Sequence, residues 1–113
     1  MNHEYKARSV ASVIVTYNAD ANTLERLLKQ LEPQVNRIFV VDNGSSNAQI
    51  INRTAELFNH ARAILCPTNF GLGHAHNLGI QACRDEGMKM VLLLDQDSLP
   101  QNNMVEKLVT AFG

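Results

Sequence analysis

The sequence predicts an α/β domain: a three-layer arrangement with a mainly parallel sheet of about four strands and helices on both faces. Three observations predict it. Strand-length apolar runs alternate with segments whose apolar residues recur at helical spacing, in the order β-α-β-α-β-α-β-α. The connections are short, so each helix must cross over between parallel strands. The apolar runs lead into polar clusters, namely Thr16-Tyr17-Asn18, Asp42-Asn43, Asn69 and Asp95-Gln96-Asp97. In an open parallel sheet the carboxyl ends of the strands share one rim, and ligands bind there.

The first strand is predicted over 9–15, where Val10, Val13, Ile14 and Val15 supply β-branched bulk. A helix follows, with Asn22-Thr23-Leu24-Glu25 at capping-box spacing and Leu24, Leu27, Leu28 and Leu31 on one face. Pro33 ends it. The second strand is 37–41, running into Asp42 and a turn at Gly44-Ser45-Ser46-Asn47. Ser46 and Gln49 again have capping-box spacing, and Ile50, Ile51, Thr54, Leu57 and Phe58 mark the buried face of the second helix. The third strand is 61–66 and the third helix about 73–86, with Leu72, Ala75, Leu78 and Ala82 inward and Gly87 as its left-handed stop. The fourth strand, 88–94, is continuously apolar, which predicts burial on both faces at the centre of the sheet. A last helix starts near Pro100, its inner side formed by Met104, Val105, Leu108, Val109 and Phe112. Residues 1–8 read as a loose segment and 9–113 as one domain.

Composition narrows the function. At 113 residues, 45% apolar and 19% charged, the chain has the make-up of a soluble globular domain. A net charge of −1 leaves no basic footprint for nucleic acid, and 5% aromatics leave little for stacking single strands. No segment reaches membrane-spanning length, and the N-terminus lacks a signal-peptide core. The chain reads as cytoplasmic, at most peripheral on the inner face of the plasma membrane. Cys66 and Cys83 read as buried free thiols.

Asp95 and Asp97 carry the sharpest chemistry. Two carboxylates at i and i+2 repel each other unless a positive group lies beside them. Carboxylates with phosphate oxygens and water form the usual shell of Mg²⁺ or Mn²⁺. The alternative is that Asp97 or Ser98 merely caps the last helix. Asp42 also has two readings. It can accept from the turn amides that follow it. It can equally accept from the N3–H of uracil or thymine, because an ionised carboxylate only accepts. Thr16-Tyr17-Asn18 would add hydroxyl and backbone contacts to the same base, whereas Asn18 and Asp20 can instead cap the first helix. Asn69-Phe70-Gly71-Leu72-Gly73 lacks both established phosphate-loop patterns and reads as a tight entry to a helix from which Asn77 reaches toward the rim. His74 and His76, two apart on a helix, do not face each other and make a poor chelating pair.

In order, Val13-Ile14-Val15-Thr16-Tyr17-Asn18, Val40-Val41-Asp42-Asn43-Gly44-Ser45, Asn69-Phe70-Gly71-Leu72-Gly73, Asn77-Leu78-Gly79 and Leu92-Leu93-Leu94-Asp95-Gln96-Asp97-Ser98 resemble a family-2 glycosyltransferase of the GT-A fold. The Asp-Gln-Asp-Ser and Asn-Phe-Gly segments look most like the rhamnosyltransferase branch. The resemblance implies that Thr16 and Tyr17 flank a nucleobase, that Asp42 binds its imide, and that Asn18 belongs to the same nucleotide-sugar site. It implies that Asn69 and Asn77 assist the nucleotide sugar, that Asp95 approaches the ribose or sugar, and that Asp97, with Asp95, holds Mg²⁺ or Mn²⁺ on the diphosphate. It implies dTDP-L-rhamnose or a UDP-sugar as donor, and a surface polysaccharide or its lipid-linked precursor as acceptor.

Inverting members of the family draw the acceptor proton with a carboxylate in their second half. The resemblance therefore implies no catalytic base within these 113 residues and places it downstream of Gly113. On that basis the chain is expected to be the nucleotide-binding half of a longer enzyme, inactive alone and prone to self-association through exposed sheet edges. Other readings compete. A haloacid-dehalogenase-type phosphatase also carries an Asp-x-Asp after an apolar strand, but there it opens the domain. A sugar-phosphate nucleotidyltransferase would need a glycine-rich basic start, which is absent here. A non-catalytic α/β nucleotide-binding or interaction domain would present the same acidic rim to a partner.

Overall fold

The computed structural model describes residues 10–98. The loose segment at 1–8, the helix near Pro100 and Gly113, beyond which the base is expected, therefore fall outside the described residues. The elements are β1 (Val10–Thr16), α1 (Ala21–Leu31), β2 (Arg37–Asp42), α2 (Ala48–Glu56), β3 (Ala61–Leu65), α3 (Leu72–Asp85) and β4 (Met90–Asp95). All three strand pairings are parallel, and the four strands lie in the order β3-β2-β1-β4. The chain builds outward from β1 through β2 to β3, then returns across α3 to place β4 on the other side of β1. The order thus reverses between β1 and β4.

Two apolar layers cover the sheet, as strand alternation requires. On one face Val10, Ile14, Ile38 and Val40 meet Leu24, Leu27, Leu28 and Leu31 of α1 and Ile51 and Ala55 of α2. The four leucines are fully buried, each worth about 1.5–3 kcal/mol of transfer free energy. On the other face Ala11, Val13, Phe39 and Val41 meet Ala75 and Cys83 of α3. Among the described residues no helix is long and apolar enough to cross a membrane.

The structure decides between the two caps open for the first helix and differs from the sequence reading at the second. Asp20, not the Asn22–Glu25 box, caps α1: its Oδ2 accepts from the backbone N–H of Thr23 at 2.9 Å and from the Thr23 hydroxyl at 3.0 Å. The Thr23 N–H, more than any other contact, holds the Asp20 carboxyl below its ordinary value. At α2 the cap position is Asn47, without a side-chain capping bond: its amide donates to Ala19 O at 2.8 Å, while Ser46, the expected cap, is drawn to Asn18. Ile50 and Leu57 are exposed. The buried stripe runs Ile51, Thr54, Ala55 and Phe58, and the two exposed residues sit one position off it, about 100° round the helix.

Two further corrections concern α3 and β4. The buried stripe of α3 is Ala75, Gly79 and Cys83, whereas Leu72 is exposed and Leu78 and Ala82 lie at its flank. Gly79 shifts the stripe, because α3 lies directly on β1 there: a Cβ at this position would run into both γ-methyls of Val13. Gly87, at φ 74°, follows the helix as the expected left-handed stop. β4 is not central. Among the described residues it pairs only with β1, and Leu93 is 47% exposed. An apolar run at an edge reads the same as one at a centre until neighbours are assigned.

Both cysteines are free and buried. Burial, with Glu86 as a smaller cause, pushes the Cys83 thiol from 9.0 up to about 11, and burial raises Cys66 as well. The folded state therefore keeps a proton that the unfolded chain releases. This contribution is complete below pH 9.0 and is lost as pH rises toward about 11. Urea midpoints should fall across that window, and Cys83→Ala should flatten the fall. Gly79→Ala should destabilise by about 1–3 kcal/mol through overpacking. Gly73→Ala, with open space around its Cβ, should be neutral or stabilising in the same urea titrations.

Candidate functional site

The rim begins with a buried carboxylate. Asp42, 0% exposed at the end of β2, accepts from the Thr16 hydroxyl at 2.8 Å, the Ser45 hydroxyl at 2.6 Å and the Ser45 backbone N–H at 2.9 Å. One side chain thus ties the end of β1 to the turn after β2. Ser45 Oγ in turn accepts from Asn18 N–H at 2.7 Å, and Asn18 Oδ1 accepts from Ser46 N–H at 3.0 Å. Asn18 adopts φ 50°, where the chain leaves β1 and turns toward α1. An asparagine tolerates that left-handed conformation better than most residues do.

The next two residues tie in the third loop. Asn43 N–H donates to Thr16 O at 2.8 Å, and Asn43 Oδ1 accepts from Phe70 N–H at 3.1 Å. Gly44, at φ 83°, lies so close to the loop after β3 that a Cβ would sit 2.5 Å from the Thr68 carbonyl carbon. Only glycine satisfies both the positive φ and this backbone contact. Asn69 then caps its own turn, Oδ1 accepting from Gly71 N–H at 2.8 Å.

Above this network opens a cavity of about 620 Å³ lined by Val15, Tyr17, Asn43, Asn69, Leu72, Asp95, Gln96, Asp97 and Ser98. It sits where the strand order reverses, between the carboxyl ends of β1 and β4, the expected ligand position in an open α/β sheet. Its far wall is the turn after β4, closed by Ser98 N–H donating to Asp95 O at 3.0 Å.

Of the residues singled out from sequence, Tyr17, Asn69, Asp95 and Asp97 line this cavity. Thr16, Asn18 and Asp42 stand behind it as the hydrogen-bonded support. Asp42 is closed from solvent and its carboxylate is engaged, so the turn-holding role is the one this geometry displays. Asn77 is exposed on α3 and does not line the cavity. The lining also includes Asn43 and Gln96, to which the sequence assigned no role of their own. Asn43 is nearly buried, its oxygen is engaged with Phe70, and its amide nitrogen has no partner among the described residues. Its position after a strand-ending acid was the available signal.

Asp95 and Asp97 present hard oxygen donors on one cavity wall. Among the described residues no group of three or more His, Cys, Asp or Glu side chains would hold a cation unaided. Two carboxylates completed by phosphate oxygens and water suit Mg²⁺ or Mn²⁺, which rarely relies on an all-protein cage. The donor set therefore fits a metal that arrives with an anionic ligand.

Comparison with known proteins adds a chemical class. A family model described as Glycosyl transferase family 2 matches residues 12–113. The chain is 31% identical over 100 residues to the dTDP-rhamnosyl transferase RfbF of Shigella flexneri, covering 88% of this chain and 33% of that protein. It is 29% identical over an aligned length of 121 residues to a hyaluronan synthase of Streptococcus pyogenes, covering 98% of this chain and 27% of that protein. An N-acetylglucosaminyltransferase of Bradyrhizobium elkanii is 30% identical over 109 residues, covering 90% of this chain and 58% of that protein. The chain thus spans about a third or less of the first two relatives.

Asp42→Asn should weaken the fold through this network. The amide retains one acceptor oxygen but sets an NH₂ donor against a hydroxyl or an N–H donor. The expected cost is about 1–3 kcal/mol, from a buried donor left without its acceptor. Urea denaturation monitored by circular dichroism reads it.

Proposed function

The chain belongs to glycosyltransferase family 2, and on that premise we propose that the β1–β4 cavity binds a nucleoside-diphosphate sugar for transfer to an acceptor hydroxyl. One observation carries the reading: Tyr17, Asn43, Asn69, Asp95 and Asp97, from separate loops, converge on one cavity at the strand-order reversal. In the transfer, the acceptor oxygen bonds to the anomeric carbon. The bond from that carbon to the diphosphate oxygen breaks, and the nucleoside diphosphate leaves with the electron pair. We assign the reaction to inversion, with a general base from downstream of Gly113, outside the described residues, taking the acceptor proton.

The named residues divide the donor between them. Tyr17, half-exposed at the wall, flanks the base. An imide such as that of thymine or uracil needs an acceptor for its N–H and a donor for its carbonyl. Asn43 carries both on one carboxamide in the cavity, with Asp42 holding that loop from beneath. Asp95 and Asn69 face the ribose and sugar, and Asp97 with Asp95 would hold Mg²⁺ or Mn²⁺. A divalent cation there supplies positive charge for the oxygens of the departing diphosphate.

The donor we favour is dTDP-L-rhamnose, supported by the Asp-Gln-Asp-Ser and Asn-Phe-Gly segments and by the dTDP-rhamnosyl transferase among the relatives. The acceptor we favour is a saccharide or lipid-linked precursor of a surface polysaccharide, reached from the cytoplasm. Among the described residues β4 has no partner strand on its outer side and Leu93 is exposed, and both features support the self-association we propose for the chain. A second reading, a non-catalytic nucleotide-binding domain, has the same cavity and differs only in turnover.

Calorimetry with dTDP and UDP, with and without Mn²⁺, tests the proposal. Binding should require the metal and favour dTDP. Asp97→Ala should weaken it about tenfold or more, at least the scale on which outer partners of a metal site act. His74→Ala, which packs on Phe70 outside the cavity lining, should leave it unchanged. Equal losses in the two variants would refute the assignment of Asp97.

A further inference from the structure

The middle residue of the acidic turn has an assignment of its own. The β1–β4 ladder runs from Val10↔Met90 to Val15↔Asp95 and stops there. Just past the end of β1, Tyr17 has a backbone N–H and a carbonyl beyond the last ladder pair. Gln96 takes both: its Oε1 accepts from Tyr17 N–H at 2.8 Å, and its Nε2 donates to Tyr17 O at 3.5 Å. The carboxamide thus behaves as a surrogate peptide group that extends the ladder past its last main-chain pair.

We infer that Gln96 is a positioning residue that clamps the Tyr17 backbone, and through it sets the Tyr17 ring at the wall of the cavity. Three features make the clamp necessary. Tyr17 is 49% exposed, so its ring has little packing of its own to hold it. The next residue, Asn18, turns the chain away at φ 50°. Residue 17 is also the point at which the β1 loop meets the acidic turn through hydrogen bonds. The chemistry selects glutamine. One donor and one acceptor are needed at the reach of a three-torsion side chain. Glutamate offers acceptors only, and asparagine is a methylene shorter.

The inference rests on the nucleotide-sugar reading for its effect on binding, but not for the clamp itself, so the test has two arms. The first needs no ligand. The chain holds two tyrosines, Tyr5 and Tyr17, and no tryptophan, so a Tyr5→Phe background leaves Tyr17 as the only tyrosine emitter. Gln96→Ala should lower the anisotropy of Tyr17 emission. Gln96→Glu, which keeps the bond from Tyr17 N–H, should recover much of it. An unchanged anisotropy in Gln96→Ala overturns the inference. The second arm is calorimetry with dTDP and Mn²⁺. Gln96→Ala should weaken binding about two- to tenfold, the scale of an exposed hydrogen-bond pair. In a Tyr17→Ala background the same change should have less than about twofold effect, because the clamp then has no ring to set. Equal losses in both backgrounds mean that Gln96 acts otherwise, and overturn the inference. If Tyr17→Ala alone leaves dTDP binding intact while Gln96→Ala still lowers the anisotropy, the clamp stands and the assignment of Tyr17 to the nucleotide falls.

Discussion

The buried carboxylate of Asp42 is the constraint on which the rim depends. A charge wholly removed from water is tolerable only when its oxygens are well supplied with donors, and here Thr16 and Ser45 supply them. Meeting that demand brings the end of β1 and the turn after β2 to a common point. Every later contact at the rim builds on it. Ser45 reaches Asn18, Asn43 reaches Phe70, and Gly44 lets the loop after β3 come against it. The network lies almost entirely among residues adjacent in sequence to strand ends, so the parallel sheet itself delivers the partners.

Above this support, the cavity combines opposite requirements. Its floor is a hydrogen-bonded network in which Asp42, Thr16, Ser45 and Asn18 hold one another. Its wall carries two carboxylates close together in sequence, whose mutual repulsion favours a cation between or beside them. Two carboxylates on one wall are the feature of the cavity that the proposed metal-bound nucleotide sugar would use. Family membership agrees with that chemistry, and the relatives differ in the sugar named for them. Family membership therefore does not by itself identify the sugar of the proposed donor.

Much of the fold was legible because periodicity reports burial directly. The four leucines of α1 and the alternating faces of β1 and β2 follow from spacing alone. The acids after β4 were visible as a rim feature for the same reason. Helix caps were less legible, because several polar residues near each start could accept the first free N–H. Asp20 outcompeted Asn22, and Asn18 drew Ser46 away from α2. On α3 the spacing located Ala75, Leu78 and Ala82 on the inner side, but not the exposed Leu72, and it missed Gly79, which contributes nothing to an apolar pattern yet lies against Val13.

The sequence by itself determined the order of elements, their parallel pairing and the gathering of polar residues at one edge, since each follows from local spacing and short connections. Only the tertiary structure decided the order of the described strands and which of two adjacent residues, Asp42 or Asn43, faces the cavity. It also decided that Gln96 reaches the Tyr17 backbone. These choices depend on which strand lies beside which. That is a long-range packing outcome, settled by helices crossing to one face or the other, and no short stretch of residues encodes it.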